Sequence, residues 1–224
     1  MKDTEEVRTI KTLRTPRSAA IAGVVFAVFL STSIVLIRIS IARNPADAAV
    51  LLAQGGRRTW ALIAINLIPF AGIAFLWFMG VIRDRMGDRE DKFFATVFLG
   101  SGLLFVALLF VSAAVAIGLI TMFKAAPLKA AQDQVWTLGY HMTFGLLNLF
   151  AIRMAAVFMI STSTIALRAS FINRWLSILG IAIALLLLVA SDIVAYINLL
   201  MPLWVFLVSV DVLIRNRRER HEPA

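Results

Sequence analysis

Residues 93–120 read FFATVFLGSGLLFVALLFVSAAVAIGLI, 28 positions without one Asp, Glu, Lys, Arg or His. A bilayer core about 30 Å thick is crossed by roughly 20 such residues in a helix. No water is present there to take up backbone N–H and C=O groups, so only a helix or a closed barrel is viable. The run is apolar at nearly every position and does not alternate, which selects the helix. Working outward, four further apolar regions flank it. The fold class expected is therefore all-α, a polytopic transmembrane helical bundle.

The chain has 224 residues, of which 61% are hydrophobic and 16% charged. Soluble domains are about half apolar and about a quarter charged. Six spans are read at residues 18–39, 60–82, 93–120, 142–167, 175–190 and 193–214. The last apolar region is too long for one crossing, and Ser191-Asp192 offers a break. The alternative is five spans with that region as one broken or re-entrant helix. Residues 1–17 form a basic arm, 18–214 a single membrane domain, and 215–224 a basic tail. The first apolar stretch follows a polar arm and is too long for the core of a cleavable leader.

The net charge of +9 suggests nucleic acid only until the basic residues are placed. They flank the apolar runs, so membrane lipids, not nucleic acid, are the expected partners. Fifteen Lys and Arg fall on one side of the proposed topology and six on the other. The richer side faces the cytoplasm in inner-membrane proteins. Both termini are thus expected in the cytoplasm, with the chain in the bacterial inner membrane. Arg38, Arg43, Arg57 and Arg58 in the first loop count against this assignment. Trp60 and Trp175 begin spans beside arginines and read as interfacial anchors, whereas Trp77 and Trp204 read as packed. Pro45 to Gln54 suits a short loop helix stopped by Gly55-Gly56, and the 122–141 loop suits a short interfacial helix.

Catalytic chemistry has little to stand on. There is no cysteine, which removes disulfides and thiolates. Only His141 and His221 offer imidazole, so no metal, haem or other cofactor is expected. No catalytic residue is assigned, and the chain reads as more a non-enzyme than an enzyme. Asp133 and His141 are the one acid–imidazole pair available to a lipid-modifying membrane enzyme.

The anomalies lie inside the spans. Arg153 sits about eleven residues into the fourth span, where a guanidinium costs about 3 kcal/mol or more. Asn66, Asn148 and Asn198, with Ser31, Thr32 and Ser33, fall at similar depth in that topology. Each amide in hydrocarbon needs partners. Pro69 and Pro202 follow Asn66 and Asn198 by three and four residues, and each is expected to kink its helix and free a carbonyl. These residues predict a polar pocket in the outer half of the bilayer with Arg153 as its charged floor. The arginine fork suits an oxyanion.

The second loop, IRDRMGDREDK at 82–92, alternates charge. Arg83, Asp84, Arg85, Asp88, Arg89, Glu90 and Asp91 make either a salt-bridged turn or an interface or gate. STS occurs at 31–33 and again at 161–163. Arg38 and Arg168 follow five residues later, and Trp60 and Trp175 open the next spans. That pattern suits a three-plus-three duplication, although low-complexity sequence produces such matches by chance. Two functions compete. One is a small transporter or channel for a small or anionic ligand, working as a homo-oligomer. The other is a non-catalytic membrane subunit or assembly partner.

Overall fold

The computed structural model describes residues 15–47, 50, 55–86, 92–122, 130–169, 172–191 and 196–218, and among these there is no strand. The helices are α1 (Thr15–Ser40), α2 (Gly55–Met86), α3 (Lys92–Met122), α4 (Ala130–Phe144), α5 (Ile152–Ala169), α6 (Arg174–Ala190) and α7 (Leu200–Arg218). A π-helical segment, Gly145–Ala151, joins α4 to α5, and a 3-10 turn, Ile197–Leu199, leads into α7.

Five stretches are long and apolar enough to cross a membrane: Ala20–Ser40, Gly55–Asp84, Phe93–Met122, Asp133–Ala169 and Ile197–Arg215. This is consistent with a multi-pass membrane protein. Helix α6 is as apolar but has only 17 residues. The length criterion thus supports five of the six spans read from sequence. Asp192, the expected break, lies outside the described residues.

Residues 45–47 and 50 are helical, as expected of a short loop helix there, and Gly55 and Gly56, read as its stop, are the first residues of α2. A second loop expectation is corrected. The 122–141 stretch is no separate interfacial helix from residue 130 onward, because α4 continues through the π segment into α5 as one 37-residue span from Asp133 to Ala169. Trp136 explains the continuity. It is buried, and its indole Nε1–H donates to the Ala42 carbonyl at 3.2 Å. Asp133 is half-buried, whereas His141 stays exposed.

Helix α1 packs mainly on α2 and also on α7, and α5 packs mainly on α6 and α3. Rings of Phe26, Phe75, Phe98, Phe105 and Phe158 stack tilted or edge-on at centroid distances of 4.8–6.2 Å and fill the centre. Such arrangements suit the ring quadrupole. Small residues set the crossings. A Cβ on Gly23 would meet Ser209 and Phe78, and one on Gly102 would meet Met79 at 2.5 Å. Gly100, two residues away, faces open space. Of Gly100, Ser101 and Gly102 in α3, the last two are therefore the ones buried within the chain.

Contacts identify the two ends. At one, Arg38 lies over the Tyr196 ring at 5.2 Å and Trp136 reaches Ala42. At the other, Arg168 lies over Phe94 at 4.9 Å and Asn173 meets Asp211.

Candidate functional site: paired asparagines at two helix irregularities

Thr143, in the last turn of α4, is where the helical ladder begins to change. Its main-chain carbonyl accepts the Ser112 hydroxyl from α3 at 2.9 Å. Intrusion of a side chain into the main-chain ladder is a recognised cause of local distortion. Immediately after it the helix widens. Ile152 N–H bonds to Leu147 O, five residues back. In an α-helix its acceptor would be Asn148. The wider turn therefore withdraws an N–H from the Asn148 carbonyl.

The partner segment departs from the α-helix in the opposite sense. Tyr196 has φ 64°, the only positive φ at a non-glycine among the described residues. A tight turn follows, with Leu199 N–H on Tyr196 O at 3.0 Å and Leu200 N–H on Ile197 O. Pro202 lies in the first turn of α7, where a missing N–H breaks no helical bond. The sequence reading of Pro202 as a kink within a span is thus corrected to a helix start. Pro202 has no N–H to offer the Asn198 carbonyl four residues before it.

The two asparagines meet. Asn198 Nδ2–H donates to Asn148 Oδ1 at 2.6 Å. Asn198 is fully buried and Asn148 is 9% exposed. Asn198 Oδ1 has no hydrogen-bond partner among the described residues, and neither has the buried Thr143 Oγ1. A buried acceptor left unpaired costs about 1–3 kcal/mol.

Arg153 follows on α5, five residues beyond Asn148. It is half-buried, and its Nε is enclosed without a partner. Its flanks Phe150 and Met154 are exposed and half-buried. Arg153 thus stands at the margin between core and surface, not fully enclosed and, among the described residues, not held by an acid.

The remaining expected pocket residues go elsewhere. Ser33 Oγ–H donates to Ala64 O at 2.9 Å and ties α1 to α2, Ser31 is half-buried, and Thr32 is exposed. Asn66 is exposed and returns its Nδ2–H to Leu62 O at 2.8 Å in its own helix. It does not serve Ile65, whose carbonyl Pro69 deprives of an N–H. Pro69 is exposed within the unbroken α2. The expected outer cluster is therefore not assembled as a whole, and only Asn148 and Asn198 are in contact.

Trp60 and Trp175 are exposed at 54% and 79%. Trp204 is buried and donates its indole N–H to Leu176 O at 3.0 Å. Trp77, expected to pack, is 67% exposed. Arg83 and Asp84 are exposed on α2, and Arg85 lies in the same helix. Asp88, Arg89, Glu90 and Asp91 lie outside the described residues. Sequence reasoning missed Thr143 and Ser112, whose buried hydroxyls in apolar helices were the available signal.

The acid–imidazole pair is not a dyad. Asp133 and His141 both line a shallow groove of about 470 Å³ with Gln134, Thr137 and Leu138. Eight residues along a helix separate them by about 12 Å, beyond direct proton transfer. No group of three His, Cys, Asp or Glu is placed to hold a metal among the described residues. No protein-family model matches this chain, and neither a curated protein nor a solved structure matches it.

Proposed function

We propose that this protein crosses the bacterial inner membrane six times, with both termini in the cytoplasm, and acts as a small transporter or channel for a small or anionic ligand. The observation that carries this reading is the buried Asn148–Asn198 bond between a π segment and a 3-10 turn. Irregular backbone at membrane depth is tolerated where protein encloses it or where it lines a wet cavity. Transporter sites are commonly built on interrupted helices of this kind.

Depth supports an outer position. Arg168 and Arg215 mark the inner end in this topology. At 1.5 Å per residue, Arg153 stands about 22 Å from Arg168, and Asn198 about 26 Å from Arg215. Against a core of about 30 Å, the asparagine pair lies near the outer boundary and Arg153 in the outer third. A guanidinium there needs only a short reach to water and can receive an oxyanion in its fork.

The test replaces Arg153 with Ala and with Lys and measures folded yield and melting in detergent with chloride, sulfate, phosphate and acetate. The wild type is expected to melt several degrees higher with at least one anion. Arg153→Ala should lose that rise, and Arg153→Lys should keep only part. Variants with wild-type yield and every wild-type response would remove the ligand role.

A second reading, a non-catalytic subunit, is favoured by one feature. An apolar groove of about 410 Å³ runs between α1 and α2, lined by Val25, Phe29, Phe70, Ile73 and Trp77 among others. It has the character of a seat for a neighbouring membrane helix, of a second copy or of another protein. Stoichiometric copurification from the native membrane would support it over autonomous transport.

A further inference from the structure

We propose that the junction between the π segment and the 3-10 turn binds a small monovalent cation of the sodium class through neutral carbonyl oxygens. Asn198 Nδ2–H is spent on Asn148 Oδ1, while Asn198 Oδ1 is enclosed and accepts nothing. Pro202 cannot supply an N–H to the Asn198 carbonyl. Ile152 N–H goes to Leu147 in place of the Asn148 carbonyl. The same two residues thus carry both the amide pair and two main-chain carbonyls deprived of their α-helical donors. Thr143 Oγ1, about one turn up-chain of Asn148, is a further enclosed oxygen without a partner. Asn198 Oδ1 and Thr143 Oγ1 are thus enclosed oxygens without a partner among the described residues, and a hard cation would supply one.

The class of ion follows from the ligand type. Calcium sites draw on carboxylates and magnesium sites on carboxylates or phosphates, and no carboxylate belongs to the segments that build this junction. Neutral carbonyl oxygens suffice for alkali cations, and unwound carbonyls of interrupted helices coordinate sodium in transporters. Arg153, five residues beyond Asn148, opposes a cation by its charge. An anion held by Arg153 would offset that repulsion, so the two ligands should favour one another. This coupling rests on the anion reading of Arg153, whereas the cation site itself does not.

The experiment compares thermal unfolding of the purified full chain in detergent in sodium, lithium, potassium and choline chloride at equal ionic strength. Wild type is expected to show a saturable rise of several degrees with sodium over choline. Asn198→Ala and Asn148→Ala should abolish it, and Asn198→Thr, which keeps an oxygen, should retain part. Arg153→Gln should keep or enlarge it, even where every anion response is lost. That result separates the cation site from the anion reading. Should the alanine variants fail to fold, Pro202→Ala supplies the missing N–H and is expected to weaken the sodium response in a folded protein. Identical wild-type curves in all four salts would mean that ordered water alone serves these oxygens, and would overturn the proposal. So would a full sodium rise in both alanine variants, or in Pro202→Ala where those do not fold.

Discussion

Asp211 joins the start of one helix to the end of another: its Oδ2 accepts the Asn173 backbone N–H at 3.0 Å and the Arg215 Nε–H at 3.1 Å. Asn173 is the N-cap of α6, and its own Oδ1 accepts Trp175 N–H at 3.2 Å. A carboxylate beside the first turn of a helix complements its macrodipole. Replacing Asp211 with Ala is expected to cost about 2 kcal/mol. Arg215→Gln should cost about 0.5 kcal/mol, because its side chain is 40% exposed and a half-exposed ion pair is screened by solvent. Detergent unfolding of the two variants measures the difference, and equal losses would mean the bond to Asn173 contributes nothing.

Gly180 sits where α5, α6 and α7 meet. A Cβ there would strike Ser163 Oγ and lie 2.5 Å from Trp204 Nε1. Gly180→Ala should cost about 1–3 kcal/mol through overpacking. Gly100 faces open space, so Gly100→Ala should be neutral or slightly stabilising. The contrast is read in melting temperature, and a neutral Gly180→Ala would show the crossing to be looser than described.

The amide pair can be weighed by a double-mutant cycle. Asn148→Leu and Asn198→Leu each leave a lone amide and should cost about 1–3 kcal/mol. The double variant should cost less than the sum, by roughly 0.6–1.7 kcal/mol, the range measured for interhelical hydrogen bonds in lipid. Strict additivity would mean the two side chains do not interact in the folded protein.

Trp136 tethers α4 to the end of α1 through the Ala42 carbonyl. Trp136→Phe removes the donor and should cost about 1 kcal/mol, whereas Trp136→Ala also empties a buried site and should cost about 3–5 kcal/mol. Trp77→Phe, on the exposed face of α2, should leave melting unchanged.

Charge-free runs made the membrane class legible, because no soluble fold of this size hides them. Arg153, Asn148 and Asn198 were legible as costly groups in apolar surroundings. Their facing was not. A helix apolar on all sides has no stripe to mark its inner face. Asn66 therefore looked equivalent to Asn198, each lying just before a proline, yet it points outward and bonds within α2. Trp77 misled for the same reason. The π segment adds a second difficulty, since widening one turn rotates everything after it relative to a count at 3.6 residues per turn. The 122–141 stretch reads as a loop because Asp133, Gln134, Thr137 and His141 interrupt its apolar residues, and nothing in the sequence marks Trp136 as buried.

The two STS triplets are alike in placement at one position. Ser33 binds the Ala64 carbonyl across α1 and α2, and Ser163 lies against Gly180 across α5 and α6. The following arginines, Arg38 and Arg168, each lie over an aromatic ring.

The 17 residues of α6 have a consequence for the surrounding lipid. In the proposed six-span topology they reach about 26 Å, short of a hydrocarbon layer of about 30 Å. Acyl chains beside this helix must compress, or headgroups must sink toward it. The protein would then carry a dimple along one flank, favour thinner bilayers, and lose fit as lipid tails lengthen.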